Sequence, residues 1–143
     1  MATSESEFKS QFRKDLARAY PDAHVFTNND MFRAGLPDFS VLWAGTFIGI
    51  EAKFIHELPK HNTSKCLKHE VTTSQIEFLR SARRTKNYSA ILIGMPDVAV
   101  LMMELKHNYL LGEVLAAPRI ERSKGAWQVG NFINLVITQE RPL

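Results

Sequence analysis

Residues 35–54, GLPDFSVLWAGTFIGIEAKF, decide the fold of this chain. Two apolar, aromatic-rich runs, DFSVLWA and TFIGIEAKF, flank Gly45, and this pattern predicts a β-hairpin. Because side chains alternate along a strand, Glu51 and Lys53 share one face, and the hairpin returns Asp38 beside them. Burying two carboxylates and an ammonium is costly unless they are paired or bind a metal. This end of the hairpin is therefore a candidate functional site.

The rest of the chain predicts a mixed sheet flanked by helices. Helices are expected over residues 4–20 and about 73–86, where apolar residues recur at helical spacing. Further strands are expected at about 24–28, in YSAILIG and in VAVLMMEL, whereas FINLVIT (132–138) fits a last strand or a short helix. The polar stretch 55–71 predicts a long connection that is functional or mobile. The element order α-β-β-β-α-β-β implies an α/β fold.

Composition excludes several classes of protein. The chain has 143 residues, 45% of them hydrophobic and 23% charged, which is typical of one folded domain. No run approaches the roughly 18 consecutive apolar residues of a membrane span. The lone Cys66 excludes an intramolecular disulfide, and the N-terminus lacks an apolar signal core. We expect a cytoplasmic protein, in a bacterial cell or a phage-infected host.

Positive charge is concentrated between residues 53 and 86. This segment carries eight lysines and arginines against three glutamates, a net +5, whereas the whole chain carries +3. Such a block fits either a nucleic-acid partner or an ordinary solvated surface.

The same segment contains four possible zinc ligands, His56, His61, Cys66 and His69. Their spacing matches no closed four-ligand zinc pattern, so zinc is not expected.

Pro37-Asp38, followed thirteen residues after Asp38 by Glu51-Ala52-Lys53, resembles the signature of the PD-(D/E)XK nuclease superfamily. With Gln75 on the helix after the hairpin, the chain looks most like the VRR-NUC and Holliday junction resolvase-like branch. The resemblance covers about residues 4–95. It implies a restriction-endonuclease-like core (αβββαβ) within a single domain over 1–143, with a C-terminal extension at about 96–143.

The resemblance also implies a metal-dependent catalytic site. Asp38, Glu51 and the carbonyl of Ala52 would bind Mg²⁺, a hard ion that prefers oxygen ligands, and Mn²⁺ can substitute for it. Lys53 would orient or deprotonate the attacking water, or stabilise the transition state. These three roles stay open.

Two further site residues each have a structural alternative. Glu7 is the best candidate for the acid that the family carries on its first helix, but it also fits an S-x-x-E capping box with Ser4. Glu5 and Asp15 are weaker candidates for the same role. Gln75 matches the family's helix glutamine, which touches the metal shell or the phosphate, and it also fits a T-x-x-Q capping box.

The resemblance implies hydrolysis of DNA phosphodiester bonds, leaving a 5′-phosphate and a 3′-hydroxyl. No sequence-reading module is recognisable, which favours branched or junction DNA and, for paired cuts, a homodimer. The apolar segment GAWQVGNFINLVIT is a candidate dimer interface. The alternatives are a sequence-specific restriction-type enzyme, a nicking, flap or exonuclease activity, and a catalytically idle nucleic-acid-binding module. DNA contacts are expected from Arg33, Lys60, Lys65, Lys68, Arg80, Arg83 and Arg84.

Overall fold

A computed structural model describes residues 4–28 and 35–139 of the chain. Its elements, in chain order, are α1 (Glu5–Ala19), β1 (His24–Thr27), β2 (Phe39–Trp43), β3 (Thr46–Phe54), α2 (Thr73–Arg84), β4 (Tyr88–Gly94), β5 (Val98–Met102), α3 (Leu111–Ala116), β6 (Arg119–Ser123), β7 (Ala126–Trp127) and α4 (Phe132–Thr138). The strands form one seven-stranded sheet in sequential order. Only the β3–β4 pair is parallel. The predicted α/β fold, a mixed sheet flanked by helices, is confirmed.

The β2–β3 hairpin is the local structure that positions the candidate site. Ala44 and Gly45 form its two-residue turn with φ of 49° and 76°, and the positive φ of the second residue suits glycine. Phe39 pairs with Ile50, so Glu51 and the residues after it extend beyond the end of β2. Helix α2 crosses over to β4, which pairs with β3 from Ile48 to Phe54. The end of β3 therefore lies near the middle of the sheet.

The sheet separates two hydrophobic clusters. On one face, α1 contributes an aromatic group in which the Phe8 and Trp127 ring centroids lie 5.3 Å apart. A Cβ at Gly94 would lie 2.6 Å from the Phe8 ring, so this glycine lets α1 approach the sheet. On the other face, Ile76 and Leu79 of α2 belong to a second cluster with apolar residues of β4 and β5. The candidate site lies where β3 emerges from these layers.

The C-terminal part of the chain differs from the sequence expectations. FINLVIT forms the helix α4, one of the two forms expected for it, whereas α3, β6 and β7 were not predicted. Most apolar side chains of the segment proposed as a dimer interface are buried in the protein's own core, namely Trp127, Val129, Phe132, Ile133 and Val136. Their apolar pattern is explained by packing within the chain. No helix among the described residues is long and apolar enough to cross a membrane.

The connection 55–71 has no regular secondary structure, yet hydrogen bonds fix it to a distant segment. The backbone N of Leu67 donates to Asn108 Oδ1 at 2.9 Å, and Asn108 Nδ2 donates back to the Leu67 carbonyl. The backbone N of Val71 donates to the carbonyl of His107. Leu67 and Val71 are buried. These bonds tie the connection to the segment between β5 and α3.

Candidate active site

Asp38 stands just before β2 and reaches the end of β3, as the hairpin predicts. Its Oδ2 accepts a hydrogen bond from the backbone N of Ala52 at 2.8 Å. Its Oδ1 accepts from Lys9 Nζ at 2.9 Å. The hairpin register thus fixes one carboxylate oxygen, and a lysine from α1 neutralises the other.

Glu51 is a buried carboxylate whose two oxygens differ in their hydrogen bonding. Its side chain is 2% exposed, and Oε2 accepts from Gln75 Nε2 at 2.8 Å. Oε1 is buried and has no hydrogen-bond partner among the described residues. Burial and the nearby Asp38 carboxylate raise the pKa of Glu51 to about 8, although Lys53 and Lys9 oppose the shift. In the absence of a cation this group favours the protonated form at neutral pH.

Gln75 forms the T-x-x-Q capping box and also contacts Glu51, while its contact with a metal shell or phosphate stays a prediction. The Thr72 hydroxyl accepts from the Gln75 backbone N at 3.2 Å, and Gln75 Oε1 accepts from the Thr72 backbone N at 2.8 Å. This capping box leaves the amide Nε2 to donate to Glu51. Helix capping therefore orients the amide toward the carboxylate.

Lys53 shares the face of β3 with Glu51, two residues along. Its side chain is buried, at 9% exposed, and it lines a cavity of about 190 Å³. The Lys53 ammonium opposes the rise in the pKa of Glu51, because opposite charges lower the cost of burying each other.

Lys9 is a site residue that the sequence did not reveal. It lies on α1, 29 residues before Asp38, and also pairs with Glu5 at 3.2 Å one turn earlier. Glu7 is exposed, and its backbone N donates to the Ser4 hydroxyl. At 3.6 residues per turn, Glu7 lies about 200° around the helix from both Lys9 and Glu5. Of the two acids Glu5 and Glu7, Glu5 therefore lies on the side of α1 that carries Lys9.

Asp15 has a structural role, which corrects its candidacy as a metal ligand. The carboxylate is buried, and Oδ2 accepts from the backbone N of Trp127 at 2.9 Å. Oδ1 accepts from Gln11 Nε2 and from Arg18. Asp15 therefore ties α1 to β7.

The donors at the end of β3 fit a hard divalent ion. Ile55 donates its backbone N–H to the Gly94 carbonyl of β4. Backbone groups of successive strand residues point to opposite neighbours, so the N–H and the carbonyl of Ala52, three residues earlier, both point away from β4 and toward Asp38. Mg²⁺ uses oxygen ligands of this kind, namely the Asp38 carboxylate, Glu51 Oε1, which has no partner among the described residues, and the Ala52 carbonyl, with waters completing its shell. The described residues contain no cluster of three or more His, Cys, Asp or Glu able to hold a metal.

The residues predicted to contact DNA differ in their exposure to solvent. Arg83 is buried and donates to the carbonyls of Ser89 and Met103, at 2.9 and 2.6 Å, so it fastens α2 to the sheet and is not a surface contact. The structure leaves Lys60, Lys65, Lys68 and Arg84 exposed and Arg80 half-buried. Arg33 lies outside the described residues. Apart from Arg83, these contacts stay predictions.

No protein-family model and no curated protein sequence matches this chain. Its fold is similar to the solved structure of Hjc, a Holliday junction resolvase from the archaeal hyperthermophile Archaeoglobus fulgidus. The TM-score is 0.50 at 12% sequence identity, over 76% of this chain and 93% of that one. The chain therefore has a restriction-endonuclease-like fold. At this identity the similarity shows the fold alone, and the nuclease superfamily and its VRR-NUC-like branch stay predictions.

Proposed function

We propose that this protein is a metal-dependent DNA endonuclease that hydrolyses phosphodiester bonds, with branched DNA as its preferred substrate. The observation that carries the proposal is the buried Glu51, whose Oε1 has no hydrogen-bond partner among the described residues, beside Asp38 and Lys53. A protein keeps so costly an arrangement where it serves a site, and perturbed carboxylates mark such sites. The fold shared with a resolvase supports the same conclusion.

The residues of the chain have distinct parts in the proposed reaction. Asp38, Glu51 and the Ala52 carbonyl would hold Mg²⁺ or Mn²⁺, which lowers the pKa of a bound water and neutralises charge on the scissile phosphate. Gln75 holds Glu51 Oε2 and so leaves Oε1 available for a cation. Lys53, buried two residues further, orients or deprotonates the attacking water or stabilises the transition state. The products would carry a 5′-phosphate and a 3′-hydroxyl.

Branched DNA and a homodimer form the finer part of the proposal. Symmetric cutting of two strands requires two active sites, which a twofold dimer supplies. Phe26 and Leu42, on the neighbouring strands β1 and β2, are 42% and 41% exposed and offer an apolar surface for a second copy. A monomeric mass by light scattering, both free and bound to a junction, would refute the dimer.

Cleavage of a labelled four-way junction, with matched duplex and single-strand controls, tests the proposed activity. The wild type and Glu51→Gln are compared in Mg²⁺, Mn²⁺ and EDTA. Paired cuts near the branch point, lost in EDTA and in the variant, are expected. Equal cutting of plain duplex would retain the nuclease and reject the preference for junctions. Binding without cleavage in either metal would support the idle binding module.

A further inference from the structure

The cavity that Lys53 lines lies at one side of the candidate active site. Its volume is about 190 Å³, and its polar lining is Glu5, Lys53, His56, Lys68 and His69. At about 30 Å³ per liquid water, this space equals about six waters, which suits a phosphodiester group and not a base pair. We propose that the cavity binds a DNA phosphate adjacent to the scissile one, on the cleaved strand. This proposal rests on the nuclease function proposed above.

The charges around the cavity favour an anion. Lys53 and Lys68 supply two ammonium groups, and His56 and His69 supply ring N–H donors. The one carboxylate in the lining, Glu5, shares the Lys9 ammonium with Asp38, and the two ammonium groups of the lining outnumber it. Lysine and imidazole donors around a small opening are suited to phosphate oxygens.

The segment that carries Lys68 and His69 is fixed at both ends. On one side, Leu67 exchanges two hydrogen bonds with the side chain of Asn108. On the other, the backbone N of Val71 donates to the His107 carbonyl at 2.9 Å. A backbone held in this way presents its side chains with less ordering cost when a ligand binds.

Two further contacts adapt the cavity to a phosphate. Glu70, next to His69, accepts from Asn108 Nδ2 at 2.9 Å and lies 3.9 Å from Lys65, in the lining of a separate cavity. The acid of this segment is thereby directed away from the proposed phosphate. The His56 ring packs edge-on against Phe54, with centroids 4.9 Å apart, which orients the imidazole.

The experiment combines protein variants with a charge deletion in the DNA. Lys68→Ala and His69→Ala are compared with the wild type in single-turnover cleavage, and each is expected to slow cutting at subsaturating protein by about tenfold. The matched controls are Lys14→Ala and His61→Ala, which replace exposed residues outside the cavity lining. A neutral methylphosphonate then replaces the phosphate on one side of the cut or the other.

A methylphosphonate at one of the two positions is expected to lower the cleavage rate of the wild type by about tenfold. The Lys68→Ala/His69→Ala protein, which has already lost the contact, should show less than about a twofold penalty there. Equal penalties in the two proteins, or none at either position, would overturn the proposed cavity while wild-type cleavage keeps the nuclease. A wild type that cuts no substrate would overturn both.

Discussion

Asp15 on α1 and Glu51 on β3 are the two buried carboxylates among the described residues, and their surroundings differ. Asp15 is 3% exposed, and each of its oxygens accepts a hydrogen bond, one of them from the backbone of Trp127. Glu51 is 2% exposed, and one of its oxygens has no partner in the described part of the chain. A satisfied buried carboxylate joins two elements, whereas an unsatisfied one is stable only as the acid or with a cation.

Substitution of Glu51 should have the largest effect on activity. Glu51→Gln keeps the shape of the side chain but removes a carboxylate from the proposed metal site. Because metal stabilisation of the transition state amounts to several kcal/mol, we expect cleavage to fall at least about 1000-fold. Single-turnover rates measure this loss, and Asp15→Asn is the matched control. A Glu51→Gln protein that cuts within about tenfold of the wild type would remove Glu51 from the mechanism.

Lys53→Ala should cut at least about 100-fold more slowly if Lys53 does acid–base work, while it still binds DNA. The ammonium is buried beside Glu51, and Lys68 and the two histidines of the cavity remain to contact the DNA, so its loss changes the reacting centre more than DNA binding. Cleavage rates and a gel-shift assay in Ca²⁺ separate the two effects. Near-normal cutting would exclude Lys53 from catalysis, and a parallel loss of binding would assign it to the substrate contact.

Asp15→Asn should show the opposite behaviour to Glu51→Gln. Turning one carboxylate oxygen into an amide nitrogen leaves either the Trp127 backbone N–H or the Gln11 and Arg18 donors without an acceptor. The free energy of unfolding should fall by about 1–3 kcal/mol, and the cleavage rate per folded molecule should not change. Urea denaturation measures the first quantity. A stable but inactive Asp15→Asn protein would contradict the structural assignment.

The part of the fold that the sequence predicted is the part determined by neighbouring residues, above all the β2–β3 hairpin. The alternation around Gly45 fixed the hairpin, and the hairpin register placed Asp38 beside residue 52. The two-residue strand β7 gives no alternation to detect, and α4 carries an apolar run that also suits a strand. Lys9 was missed because its partner is 29 residues away and nothing in a helical pattern identifies it. Similarly, basic composition could not reveal that Arg83 is buried.

The stability of the metal-free protein should decrease as the pH rises. Glu51 has a pKa of about 8 in the folded chain against an ordinary value of 4.5, so the folded state holds a proton that the unfolded state releases. Its contribution is complete below the unfolded pKa and is lost as the pH rises through about 8. Urea denaturation in EDTA across this range should show the decline, and Glu51→Gln should flatten it. An equal slope in both proteins would assign the effect to another group.

The smallest effect concerns the ion pair between Lys9 and Asp38, which lies at the proposed metal site, whereas the pair between Arg18 and Asp15 lies away from it. Burial lowers the pKa of Lys9, but the hydrogen bond and charge of Asp38 outweigh it, so the ammonium is retained. A divalent ion must displace the Lys9 ammonium from Asp38 or share the Asp38 carboxylate with it. Lys9→Met should therefore bind Mn²⁺ about fivefold more tightly, since a partly exposed pair contributes about 1 kcal/mol.

Electron paramagnetic resonance of free Mn²⁺, titrated without DNA, measures this affinity independently of cleavage. Lys14→Met is the control because Lys14 is exposed on another side of α1. If Lys9→Met binds Mn²⁺ no better than the wild type, the ammonium does not compete with the metal. Lys9 would then serve to hold Asp38 in place, as the donors around Asp15 hold the Asp15 carboxylate. Glu51 would then be what distinguishes the candidate active site from the structural site at Asp15.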